Sequence, residues 1–142
     1  MPYRLTWERR TVFFDYFGDV TSQDLLESNQ IVYGDERFDK LLWQVVSFEK
    51  AEAISHSAAY VKRIAYMDKA AARSNPNITV AFVGNSPALD QIGSEYIDVA
   101  SEPAWDVVHF STLDEAKAYI ATAIQEREHR SSPTKSAPPS QS

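Results

Sequence analysis

Ile78-Thr-Val-Ala-Phe-Val-Gly84 runs straight into Asn85-Ser86-Pro87, and the join between the two decides the fold class. Ile78, Val80 and Phe82 would point to one side of an extended chain, Ala81 and Val83 to the other. A strand apolar on both sides belongs inside a sheet covered on both faces. The next residues open a helix: serine is a favoured N-cap, and proline at the first helical position lacks only an N–H that would be unpaired anyway.

Working outward, the same strand-then-cap unit recurs three times. Thr11–Val20 precedes Thr21-Ser-Gln-Asp24, Leu41–Phe48 precedes Ser55-His-Ser57, and Trp105–Phe110 precedes Ser111-Thr-Leu-Asp-Glu115. Such alternation is the signature of βα units. Strands joined by helical crossovers lie parallel, and the crossovers are right-handed. At the N-terminus Tyr3, Leu5 and Trp7 alternate with Arg4 and Thr6, and Glu8-Arg9-Arg10 separates this run from Thr11–Phe17. Two strands that close together form a hairpin. The expected fold is therefore an α/β mixed sheet, one antiparallel N-terminal strand plus four parallel strands.

Four helices are expected. The first spans about Thr21–Tyr33, with Thr21 and Asp24 as a capping box, Leu25, Leu26, Val32 and Asn29 turned inward, and Gly34-Asp35 as its stop. The longest runs from His56 or Ser57 to Ser74, ended by Asn75-Pro76. A third starts at Ser86-Pro87, and the last covers Leu113–Ile124 behind the capping box Thr112/Glu115. Residues 1–127 then form one domain. Residues 128–142 end in a Ser/Pro-rich stretch with no apolar side chain larger than alanine, which reads as a disordered tail.

Composition narrows the function classes. The chain has 142 residues, no cysteine, and a formal net charge of −6. Disulfides and thiolate chemistry are excluded. Nucleic-acid binding depends on neutralising phosphates with Lys and Arg, so the acidic balance argues against it. No segment approaches a membrane span, and MPYRLTWERR has no apolar core of signal-peptide length, so a soluble cytoplasmic protein is expected. The four glycines, at 18, 34, 84 and 93, never fall in a phosphate-loop order, and no GxSxG or HExxH pattern occurs. Neither a catalytic set, a metal site nor a cofactor is expected.

The hairpin Tyr3–Trp7 with Val12–Gly18, the segment Tyr33-Gly-Asp-Glu-Arg-Phe38, and the run from Arg63 through Asn75-Pro76 into Ile78–Val83 resemble the STAS fold, and most closely the SpoIIAA-like stand-alone STAS domains. The resemblance extends over nearly everything up to Ile124. It implies a non-enzymatic regulatory domain that binds a protein partner or a small apolar, lipid-like ligand. In phospho-regulated members a serine at the start of the helix after the third strand is the acceptor, within an Asp-Ser-Ser-Gly type motif. The corresponding stretch here is Ile54-Ser55-His56-Ser57-Ala58-Ala59, which lacks that aspartate and glycine. Ser55 and Ser57 are thus candidate acceptors, or one of them is simply a helix cap.

Three further constellations stand out. At 100° per residue, Lys62, Tyr66, Lys69 and Arg73 gather on one stripe of the long helix, with Arg63 beside them: either a solvated face or a dock for an anionic partner. Asp68 falls within the opposite, apolar arc, as a buried acid that is a structural anchor or a ligand-contacting or proton-transferring group. Ligands of open parallel sheets sit beyond the carboxyl ends of the strands, an edge expected to collect Asp19, Ser55, His56, Asn85, Ser86, His109 and Ser111. Of these His56, Asn85 and His109 are the candidate ligand contacts. A homodimer is a further candidate assembly, since a second subunit is one way to cover a two-faced sheet.

Overall fold

A computed structural model describes residues 2–55, 57–87, 89–90 and 105–131. Five strands, β1 (Tyr3–Glu8), β2 (Thr11–Thr21), β3 (Trp43–Ser55), β4 (Thr79–Val83) and β5 (Asp106–Phe110), form one sheet in the order of the chain. β1 is antiparallel to β2, and every later neighbour is parallel. This is the mixed sheet expected from the strand-then-cap units.

The β1–β2 hairpin closes through Arg9 and Arg10, both at positive φ, +37° and +64°. Two-residue hairpin loops want that geometry because it matches strand twist, although they normally take Asn or Gly there. The Arg10 carbonyl accepts the amides of Leu42 (2.8 Å) and Trp43 (3.2 Å), which ties the turn to the start of β3.

Two strands are longer than expected. β2 continues through Gly18 to Thr21, and β3 runs on through Lys50-Ala-Glu-Ala-Ile54 to Ser55. Their extensions pair with each other, Phe17↔Lys50 to Thr21↔Ser55, with register shifts at Asp15/Phe17 and Gly18/Asp19. Gly18 takes φ +66°, the left-handed conformation that lets the irregularity form without a side-chain penalty. Lys-Ala-Glu-Ala is helix-forming composition, but pairing with β2 and the inward turn of Ala51 and Ile54 override it.

Three α-helices lie among the described residues: α1 (Ser22–Tyr33), α2 (Ala58–Ser74) and α3 (Leu113–Ser131). A fourth was expected at Ser86-Pro87. Its opening is seen, with the Leu89 amide on the Ser86 hydroxyl (3.1 Å) and the Asp90 amide on the Ser86 carbonyl (3.1 Å). The remainder of that helix, beyond Asp90, lies outside the described residues. α3 passes its expected end at Ile124 and takes residues 128–131 from the segment read as tail. Residues 132–142 are outside the described set.

α1 starts as its sequence dictates: Thr21 and Asp24 form a complete capping box. Its end differs. Gly34 stays right-handed at φ −89°, and the chain turns because the Asp35 carboxylate caps a 3₁₀ turn, Glu36–Lys40, by accepting the Arg37 amide at 2.8 Å. Inside, Leu25, Leu26 and Val32 are buried as expected, but Asn29 is only half-buried and Ser28 is the polar residue wholly within.

The sheet has two cores. On one face α1 and α2 cover Tyr3, Val12, Phe14, Tyr16, Phe48 and Val80. On the other α3 lays Ala116 and Ile120 on Trp43, Val45, Ala81 and Val83. The division of β4 into Val80 and Phe82 against Ala81 and Val83 is the one its alternation implied. On β5 the cover is thinner, and Val107 is 45% exposed.

Candidate functional site

The sheet's carboxyl edge is where a ligand would be sought. The β3–β4 and β4–β5 pairings end together there, with Ser47 paired to Val83 and Val83 to Phe110. Gly84 leaves the edge at φ +132°, a conformation that L side chains rarely adopt, and donates its amide to the Phe110 carbonyl (3.0 Å). Its own carbonyl faces His109 Nε2 at 2.7 Å. A carbonyl can only accept, so Nε2 carries the proton. The imidazole is exposed but anchored to the backbone. Asn85 is exposed beside it, and Ser86 is spent as the cap of the turn at Pro87.

The helix start at this edge is equally occupied. Glu115 accepts the amides of Ser111 (3.1 Å) and Thr112 (3.3 Å), and its own amide bonds the Thr112 hydroxyl (3.2 Å). Glu49, arriving from β3, accepts the Leu113 amide (3.0 Å). Two carboxylates thus sit at the start of α3, favourably for the helix dipole, and hold the place an anion would take.

Ser55 and Ser57 are not part of this edge. Because β3 continues, Ser55 lies eight residues past Ser47, the last β3 residue paired with β4. At about 3.3 Å per residue of strand that is on the order of 25 Å of chain. The expected gathering therefore divides into two. Asn85, Ser86, His109 and Ser111 stay at the carboxyl edge, while Ser55 and Ser57 sit at the far end of the β2–β3 ribbon, next to the start of α1. His56 lies outside the described residues.

At that second place Ser57 occupies the N-cap position of α2, but its side chain makes no capping hydrogen bond. Ser22, the first residue of α1, does the joining. Its hydroxyl accepts the Ser57 amide (2.8 Å) and donates to the Ser55 carbonyl (3.4 Å). Ser22 is buried, whereas Ser55 and Ser57 are exposed. Nothing in the sequence pattern marked Ser22, because its role depends on a contact between residues 33 and 35 positions apart.

On α2 the stripe is as read. Lys62, Tyr66, Lys69 and Arg73 are exposed, Tyr66 at 54%. Arg63 is exposed too, with its guanidinium carbon 5.6 Å from the centre of the Tyr60 ring. Asp68 is buried at 8% exposure on the other side of the helix, and its carboxylate accepts the Tyr33 hydroxyl from α1. The acid thus helps join α1 to α2. Among the described residues no group of three or more His, Asp or Glu side chains could hold a metal ion, and no helix is long and apolar enough to cross a membrane.

No protein-family model and no curated protein sequence matches the chain. Solved structures do. The anti-sigma factor antagonist SpoIIAA in its unphosphorylated form superposes with a TM-score of 0.58 at 9% identity, covering 84% of this chain and 97% of that one. The Bacillus cell fate determinant SpoIIAA in its phosphorylated form gives 0.57 at 13% identity, covering 83% and 98%. The chain therefore has the SpoIIAA-like STAS fold.

Proposed function

We propose that this chain is a non-enzymatic STAS-type domain that acts by recognising a protein partner. The observation that carries this reading is how its polar side chains are used. At the carboxyl edge they serve the backbone: His109 holds Gly84, Ser86 caps its turn, and Glu49 and Glu115 cap α3. On α2, by contrast, four exposed cations, Lys62, Arg63, Lys69 and Arg73, share the helix with a single acid that is buried. A small apolar ligand is less well supported, because among the described residues the sheet face under α1 and α2 carries the protein's own rings packed on one another. Tyr16 stacks on Phe48 with centroids 4.9 Å apart, and Tyr3 and Phe14 lie 6.0 and 6.4 Å from Tyr16.

Native mass spectrometry of the protein purified from its own cells tests this. A partner chain bound at fixed stoichiometry is the expected result. A co-purifying lipid, or a homodimer with no other chain, would overturn it. So would a turnover abolished by His109→Ala.

A phospho-switch is the second reading, favoured by one observation: the Ser57 hydroxyl is exposed at a helix start and is not used as a cap. A phosphate there would meet the positive end of the helix dipole, as SpoIIAA exists in a phosphorylated form. Phosphopeptide mapping of the cellular protein decides it. Phosphate on Ser57, and partner binding altered by Ser57→Asp but not by Ser57→Ala, are expected. Ser55 is the other acceptor such mapping would reveal.

A further inference from the structure

We propose that the outer face of α2 docks an acidic segment of the partner protein, an inference that rests on the binding reading above and gives it a surface. α2 carries Lys62, Arg63, Lys69 and Arg73 against one acid, Asp68. All four cations are exposed, and the acid is buried on the other side under Tyr33. Among the described residues none of the four is paired with a carboxylate. A chain of net charge −6 therefore presents four exposed positive charges on one helix. Such a local reversal steers association with an oppositely charged partner and fixes its register.

The shape of the patch selects the partner. Lys62, Tyr66, Lys69 and Arg73 succeed one another at four, three and four residues, a line of roughly 16 Å along the helix. An acidic helix offers carboxylates at the same spacing on one of its faces. Between the cations Tyr66, 54% exposed, gives an apolar side chain of the partner something to cover. A bilayer fits less well. Helices that lie in membranes bury a free apolar face in lipid, whereas Val61 and Ala65 of α2 are already 2% and 0% exposed within the protein. A broad anionic surface would also meet the acidic remainder of the chain, while a narrow segment meets only the line.

The test uses the full-length protein and three labelled helical peptides monitored by fluorescence anisotropy. One carries Glu along a single face at this spacing with a leucine among them. The second has the same composition with Glu scattered around the helix, and the third has Lys in place of Glu. The facial Glu peptide is expected to bind, more weakly as salt is raised, and at least several-fold tighter than the scattered one. In Lys62→Glu/Lys69→Glu/Arg73→Glu its affinity should fall by about tenfold or more with the melting temperature unchanged, and the Lys peptide should now bind. If charge reversal unfolds the protein, Lys62→Gln/Lys69→Gln/Arg73→Gln replaces it, with loss of facial-peptide binding expected. Equal binding of the facial peptide to wild type and variant overturns the proposal, as does binding to phosphatidylserine vesicles in place of the peptide. A partner chain retained by the charge-reversed protein in native mass spectrometry overturns this surface and leaves the binding reading standing. Absence of any partner chain on the wild type defeats that reading itself.

Discussion

The Tyr16 hydroxyl lies 2.5 Å from the Ser28 hydroxyl, in the core between β2 and α1. Ser28 also bonds the carbonyls of Asp24 (2.9 Å) and Leu25 (3.0 Å), and a carbonyl can only accept. The serine proton therefore goes to the helix backbone, and Tyr16 donates to Ser28. The two partners are then unequal. Tyr16→Phe removes a donor and leaves Ser28 bonded to its own helix, at a cost of about 1 kcal/mol. Ser28→Ala strands a buried phenol hydroxyl and should cost about 1–3 kcal/mol. The double variant should be more stable than Ser28→Ala alone. Urea unfolding of the four proteins reads the cycle, and equal single-variant costs would contradict this donor assignment.

Burial of the same phenol makes stability depend on alkaline pH, because it pushes Tyr16 well above its ordinary 10.0. A raised folded value means that this stabilising contribution is complete below pH 10 and is lost as pH rises from there toward the folded value. The free energy of unfolding should therefore decline above about pH 10. Tyr16→Phe should show a shallower decline over the same interval, and an identical slope would rule Tyr16 out as its source.

Two buried amides give opposite expectations. Asn75, 3% exposed, is fully engaged: its amide nitrogen donates to the Phe38 and Leu41 carbonyls at 2.9 Å, and its backbone carbonyl accepts Trp105 Nε1 at 2.8 Å. Asn75→Ala removes a donor from both carbonyls, of which Phe38 O keeps the Leu41 amide, and should cost about 1–3 kcal/mol. Asn75→Asp should be worse, because it sets a carboxylate against them. Gln44, 2% exposed, has an amide nitrogen with no hydrogen-bond partner among the described residues. Gln44→Met keeps the volume and removes the unpaired donor, so it should raise stability, by about 1 kcal/mol. Denaturation midpoints check all three.

These residues also mark how far the sequence could be read. The antiparallel hairpin, the parallel run of the later strands and the division of β4 between two cores come from local alternation and caps, which periodicity records directly. The continuation of β3 through Lys50–Ser55 does not, because the segment is extended only through pairing with β2. Asn75 was legible as a helix stop before Pro76 but not as a clamp on Phe38 and Leu41, 37 and 34 residues away. The α2 stripe was fully legible, since helical phase alone fixes it. Ser55 and His109 could not be told apart as neighbours or strangers until the length of β3 was known.

The start of α2 supplies the last prediction. A serine in the N-cap position normally bonds an amide of the first turn, and removing it costs about 1 kcal/mol. Ser57 makes no such bond, and the junction is held from the neighbouring helix by Ser22, buried at 5% exposure. Ser57→Ala should therefore change stability by no more than a few tenths of a kcal/mol, within the range of ordinary surface substitutions. Ser22→Ala, which strands the Ser57 amide, should cost about 1–2 kcal/mol and loosen the ribbon at Ser55. Thermal unfolding gives the first comparison, and amide hydrogen exchange at Ser57 the second. The reverse order of costs would make Ser57 a working cap, and its hydroxyl would then be committed to the fold and no longer free for modification.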